Sequence, residues 1–189
     1  RLIDTSVAAV AHADAVILSD YAKGALSDEL CRAVIRAARD RAIPVLVDPK
    51  TRDLGKYSGA TTVCPNLNEL SQATGVPAYE VDALLHAAEK QVVEHEFEYL
   101  TVTMSEKGIR IVRPGYTYHS PARAREVFDV SGAGDTVIAT LAAGLAGGLK
   151  VETAIELANL AAGIVVGKVG TVPITSGELV ELLTPSQDL

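Results

Sequence analysis

Residues 128–137, FDVSGAGDTV, set three small residues, Gly132, Ala133 and Gly134, directly before an acid, Asp135. That acid opens a long run of small and apolar residues. Small residues ahead of a helix leave backbone N–H groups bare. Those amides and the positive end of the helix form a cradle for an anion. A large side chain would hold a phosphate away from the backbone, which gives a reason for Gly-Ala-Gly. Asp135, in the first turn, lies beside the cradle. A carboxylate there can take the proton of a hydroxyl that attacks a phosphoryl group, while the cradle stabilises the charge developing on the transferred group. The same four residues also suit close helix–strand packing with ordinary compensation of the helix dipole. Taken alone they favour that plainer reading, since short motifs match by chance. The pattern is neither the Walker sequence nor the dinucleotide Gly-x-Gly-x-x-Gly.

The elements that must position these residues are legible along the chain. AVILSD (15–20), IPVLVDP (43–49) and TTVCPN (61–66) are short apolar runs, each closing on an acid or an Asn, as buried parallel strands do. YLTVTMSEKG (99–108) reads as a strand and a turn at Glu106–Gly108. IRIVRPG (109–115) alternates like an exposed antiparallel strand. Ser27 caps a helix that carries acids in its first turn and arginines near its end. Further helices are predicted around Glu69–Ala73, over roughly Glu80–Phe97, in TVIATLAAGLAGGL, and over Val151–Val166. Strands alternating with helices predict an α/β fold, a doubly wound and mostly parallel sheet flanked by helices. Ligands of such sheets sit at the carboxyl ends of the strands, so Asp20, Asp48, Asn66, Thr103 and Asp135 are expected to gather there.

Composition narrows the function classes. The 189 residues suffice for one domain with a core, and nearly half of them are apolar. A formal charge of −7 without a basic stripe argues against nucleic acid and anionic membranes as partners. The longest apolar stretch, Val137–Leu149, is short and glycine-rich for a membrane span. Cys31 and Cys64 have no metal or disulfide spacing and read as buried thiols of a cytoplasmic protein. His12, His86, His95 and His119 share no catalytic spacing. The chain opens in helix-like sequence with no initiator Met, as a fragment of something longer would.

Three segments then fall into one pattern. DVSGAGDT (129–136), PNLNEL (65–70) and VTMSEKG (102–108) resemble, in order and distance, the signatures of the ribokinase-like carbohydrate kinases. Within them, LSDYAKGAL (18–26), residues 47–70 and AAGIVVGKVGT (161–171) are most similar to the heptose 7-phosphate kinases. The resemblance implies ATP-dependent transfer to the anomeric hydroxyl of D-glycero-β-D-manno-heptose 7-phosphate, on the way to ADP-heptose and lipopolysaccharide core. It implies Asp135 as the base, and Gly132, Ala133 and Gly134 as the anion hole. Asn66 and Glu69 would organise Mg²⁺ largely through water, or be a plain Asn turn and a first-turn Glu. Thr103, Ser105 and Gly108 would contact ATP, or form a strand end and turn. Asn159 would face the purine; buried in mid-helix it needs some polar partner in any case. Lys50 would reach a phosphate, or be a solvated loop lysine. Asp129, Ser131 and Gly170 match positions where relatives hold a monovalent cation such as K⁺, although Asp129 equally suits a cap.

Relatives begin with a longer N-terminal part bearing most sugar contacts and a lid that builds a dimer. Neither is visible here, so residues 1–189 are expected to be the C-terminal part of one ribokinase-like kinase domain. A homo-oligomer and, in the native protein, fusion to an ADP-heptose synthase half are implied as well. Ribokinase, nucleoside kinase and phosphofructokinase activities are the rivals within the class. A nucleotide-binding module without turnover is the rival outside it.

Overall fold

A computed structural model describes residues 1–123, 127–170 and 172–183 of the chain. Its centre is a six-stranded sheet in the order β1 (Val16–Ser19), β2 (Val45–Asp48), β3 (Thr62–Val63), β4 (Tyr99–Thr103), β5 (Ile109–Arg113) and β6 (Tyr116–Ser120). The first four strands run parallel, and β5 and β6 turn back antiparallel. Helix α2 (Asp28–Arg39) joins β1 to β2, a 3-10 turn at Leu54–Tyr57 lies between β2 and β3, helices α3 (Leu67–Thr74) and α4 (Val81–Glu94) join β3 to β4, and α1 (Leu2–Val10) precedes them all. Helices α5 (Ala133–Ala146) and α6 (Val151–Val166) follow the sheet, and α7 (Ser176–Leu183) ends the described chain.

Alternation along each strand builds two cores. In β2, Val45 and Val47 join the cluster formed with Leu30, Val34 and Ile35 of α2 and Leu84 and Val92 of α4. Leu46 between them points the other way, to Leu141 of α5 and Ile155 of α6. The sheet is therefore covered on both faces, which is why its parallel strands read as unbroken apolar runs. Between β3 and β4 the hydroxyls of Thr62 and Thr101 meet at 3.0 Å, so neither polar group is buried alone. The Ser27 side chain accepts the N–H of Leu30 and caps α2 as expected.

One expectation changes, and two elements were not expected. The 109–115 strand is antiparallel but not exposed: Ile109, Ile111 and Val112 are buried, because β5 lies inside the sheet with β6 on its far side. Strand β6 itself was not legible as one, since four of its five residues are not buried, and α7 was also unread. Among the described residues no helix is long and apolar enough to cross a membrane.

Candidate active site

The carboxyl ends of the parallel strands and the start of α5 enclose two adjoining pockets. The polar one, of about 210 Å³, is lined by Tyr21, Asp48, Lys50, Glu69 and Asp135 among others. The second, of about 420 Å³, has a mostly apolar lining that includes Ser105, Gly108, Val130, Asn159 and Val166. Asn66, Thr103, Gly134 and Val137 border both, so the two open onto one rim. A roomier cavity, about 590 Å³, opens at the other end of the strands among Arg39, Glu96 and Arg113 and contains none of these groups.

Helix α5 begins earlier than the small-residue pattern suggested. Gly132 is its N-cap in the left-handed conformation, φ 78°, and Ala133 and Gly134 form its first turn with Asp135. A residue with a Cβ is strained at that φ. The N–H of Ala133 is taken by Val130 O at 3.2 Å, whereas the N–H groups of Gly132, Gly134 and Asp135 have no acceptor among the described residues. The bare amides of the cradle are thus those three, and Ala133 contributes its smallness and not its donor. A Cβ on Gly134 would meet nothing within 4 Å, so glycine there leaves the cradle open and is not demanded by packing. The Asp135 carboxylate is exposed and has no hydrogen-bond or ion-pair partner among the described residues. An acid at this helix position that caps nothing and pairs with nothing is free to act on a ligand.

Opposite it stand the acids of the strand ends. Asn66 and Glu69 form a reciprocal capping box: Asn66 Oδ1 accepts the Glu69 N–H, and Glu69 Oε2 accepts the Asn66 N–H, both at 2.9 Å. The plain structural role of both residues is therefore realised. Glu69 keeps Oε1 for Lys50, whose ammonium it binds, and that bond raises the lysine pKa and keeps it charged. Lys50 is thus no free loop lysine. Asp48, which sequence reasoning put at this edge without a role, lines the same pocket, and its carboxylate has no hydrogen-bond partner among the described residues. Burial pushes its carboxyl above the ordinary range; Lys50 pulls it back, and Glu69, Asp135 and Asp20 push it further. Its signal was an acid closing an apolar strand. Asp20 does not join them: its side chain turns inward to Lys56 and Tyr57.

In the apolar pocket, Asn159 is buried, and its Nδ2 donates to Ser120 O, Ser120 Oγ and Pro121 O at 2.7–3.2 Å. Two of those acceptors are carbonyls, which fixes the amide orientation and leaves Oδ1 without a donor among the described residues. The polar partner expected for this residue is thus the end of β6. Gly108 lines the same pocket and lies so close to this corner that an added Cβ would meet the backbone of Ser120–Ala122. Thr103 ends β4, and Ser105 begins the turn after it. Asp129, Ser131 and Gly170 do come together, as a turn clasp: Asp129 Oδ1 accepts the Ser131 N–H at 2.8 Å, and Ser131 and Gly170 together hold its carboxyl below the ordinary value. Among the described residues no three His, Cys, Asp or Glu side chains gather in a metal-binding group, and no histidine lines either pocket.

A free acid beside bare helix amides, with an apolar slot opening onto the same rim, places a candidate base next to a candidate anion site. Residues 1–176 match the model for pfkB family carbohydrate kinases, and the chain belongs to that family. Its fold is the ribokinase-like one. A ribokinase from Arabidopsis thaliana complexed with ribose and ATP superposes with a TM-score of 0.83 at 23% identity, over 96% of this chain and 59% of that one. Phosphofructokinase-2 from Escherichia coli in complex with potassium gives 0.80 at 18% identity, over 95% and 60%. Among curated proteins, the bifunctional protein HldE of Methylobacillus flagellatus is 55% identical over 173 residues, 92% of this chain and 36% of that protein. HldE of Koribacter versatilis is 51% identical over 184 residues, 97% and 38%. The chain thus spans little more than a third of the curated relatives it matches.

Proposed function

We propose that the chain is the catalytic portion of an ATP-dependent kinase that phosphorylates the anomeric hydroxyl of D-glycero-β-D-manno-heptose 7-phosphate. The observation that carries the chemistry is the unpartnered Asp135 carboxylate next to the bare amides of Gly132, Gly134 and Asp135. The apolar pocket takes the purine, with Asn159 Oδ1 as an available acceptor for an exocyclic amine. The phosphates run along the shared rim past Thr103 and Gly134 towards the cradle. The acceptor hydroxyl enters from the polar pocket, gives its proton to Asp135 and attacks the γ-phosphoryl group. The amides stabilise the charge on the transferred oxygens. The choice of heptose rests on the resemblance of residues 18–26, 47–70 and 161–171, and is supported by about half-identity to proteins named HldE across the chain. By the same likeness, a second, nucleotidyltransferase half accompanies the kinase in the native protein.

The donor set suits a divalent cation. Asp48 and Glu69, facing the rim with more negative than positive charge, would hold Mg²⁺ through water; bound there, the ion neutralises charge across the phosphates. The resemblance adds a monovalent cation, K⁺, at the clasp of Asp129, Ser131 and Gly170. Glu69→Gln keeps an oxygen for the capping box but loses the charge. It is expected to raise the Mg²⁺ concentration for half-maximal rate by about tenfold, the scale of one charged contact. An unchanged Mg²⁺ titration would leave Glu69 with its cap and its bond to Lys50.

The assignment is tested by ADP release from the full-length protein with heptose 7-phosphate, ribose, fructose 6-phosphate and adenosine in turn. The heptose phosphate is expected to give the highest kcat/KM by at least about 10², since a site built for a substrate's polar groups rejects analogues lacking them. A higher value for any of the others would move the protein to that branch of the family.

A further inference from the structure

The end of β1 buries a charge that the chemistry above does not use. The Asp20 side chain is 3% exposed and Lys56, its ion-pair partner at 2.6 Å, is 15% exposed. Oδ1 of Asp20 accepts the Ala22 N–H at 2.8 Å, and Oδ2 accepts the Lys56 ammonium and the Tyr57 hydroxyl, each at 2.6 Å. Burial pushes the carboxyl up, but the bonds from Lys56, Tyr57 and Ala22 outweigh it and hold the pKa below its ordinary value. A buried ion pair adds little to stability over a well-packed apolar pair. Its presence at this point therefore calls for another account.

Position supplies one. Asp20 joins two segments that leave neighbouring strands at the site: residues 21–26 after β1, and 49–57 after β2. Ala22 belongs to the first, Lys56 and Tyr57 to the second. Among the described residues no other hydrogen bond or ion pair crosses between them. Each segment sends one side chain to the polar pocket, Tyr21 from the first and Lys50 from the second, and neither lines the apolar pocket. We propose that Asp20, held by Lys56 and Tyr57, is a positioning residue that makes these two segments one rigid wall of the acceptor pocket, setting acceptor affinity and alignment while leaving the nucleotide side untouched. The part about the acceptor rests on the reading of the polar pocket given under Proposed function.

Lys56→Met in the full-length protein removes the charged donor but keeps the stem. Tyr57→Phe keeps the buried ring and removes only the hydroxyl. Two readouts separate this clamp from a general loss of stability. Amide hydrogen exchange, measured without substrate, is expected to rise roughly tenfold in residues 21–26 and 50–57 together, the scale of one charge-assisted hydrogen bond, with the β4 and α5 amides unchanged. Steady-state kinetics are expected to show KM for the sugar raised about tenfold, KM for ATP within about twofold, and partial rescue by Lys56→Arg. Exchange that rises in one segment only or in neither, or a KM for ATP that rises with that of the sugar, would overturn the clamp. If the wild type leaves heptose 7-phosphate untouched, the substrate assignment falls instead, and the same split is measured with the sugar the protein does phosphorylate.

Discussion

Asp135→Asn, made in the full-length protein, is expected to bind ATP with little change and to lose a factor of roughly 10² or more in turnover, the usual scale for a lost acid–base group. The variant tests chemistry because the fold has little stake in the side chain. Asp135 is exposed, and no hydrogen bond or ion pair within the described residues uses its carboxylate. Its structural contribution is limited to the favourable charge at the start of α5, about 0.3–1 kcal/mol. The neutral amide has nearly the same shape and leaves the bare N–H groups of Gly132, Gly134 and residue 135 in place. What it cannot do is accept the proton of the attacking hydroxyl. The measurement is kcat alongside the Kd for ATP from calorimetry. Turnover near that of the wild type would show that the proton leaves by another route, and a large loss of ATP affinity would make Asp135 a binding residue.

Gly108→Ala is expected to destabilise the fold by roughly 3–5 kcal/mol, at the upper end of what single substitutions do. Gly108 sits at φ 86°, where side chains other than glycine's hydrogen are strained. An added Cβ would lie 2.1 Å from Ser120 O, 2.6 Å from Ala122 N and 2.8 Å from Pro121 C. All three are backbone atoms at the end of β6, so no side chain can swing aside. The same backbone anchors Asn159, because Ser120 O and Pro121 O accept its amide. Relief of the clash therefore has to move the corner of the apolar pocket. The denaturant midpoint is expected to fall, and KM for ATP in the surviving folded protein to rise. A midpoint within experimental error of the wild type would show that β6 yields easily and that Gly108 is not a packing requirement.

These two residues also show where sequence reasoning reaches its limit. Asp135 could be singled out as a candidate from its neighbours, because a helix start, small residues and an acid are all local, although a plain packing reading fitted the same residues. Gly108 could be placed in a turn, but the reason for it lies at Ser120–Ala122, at the end of a strand that the alternation of YTYHS did not announce. Asn159 needed a partner on grounds of burial alone, and the partner proved to be that same strand end. Asn66 and Glu69 carried two readings from sequence. The structure realises the capping box, and one Glu69 oxygen at the same time serves Lys50.

The order of the first five strands and of the helices up to α6, the acids at strand ends and the glycine-rich start of α5 were determined by the sequence itself. Periodicity, caps and strand-end polarity are local properties, written within a few residues of where they act. The tertiary structure decided which of the gathered groups remain free. Ala133 gives its N–H to Val130 while its neighbours keep theirs. Asp20 and Asp48 close adjacent parallel strands with much the same local sequence. One is saturated by Lys56, Tyr57 and Ala22, and the other stands unpaired beside Lys50, Glu69 and Asp135. Whether a carboxylate is satisfied or available depends on donors brought from 36 and 37 residues away, and only the packing of the 49–57 segment against the end of β1 brings them there.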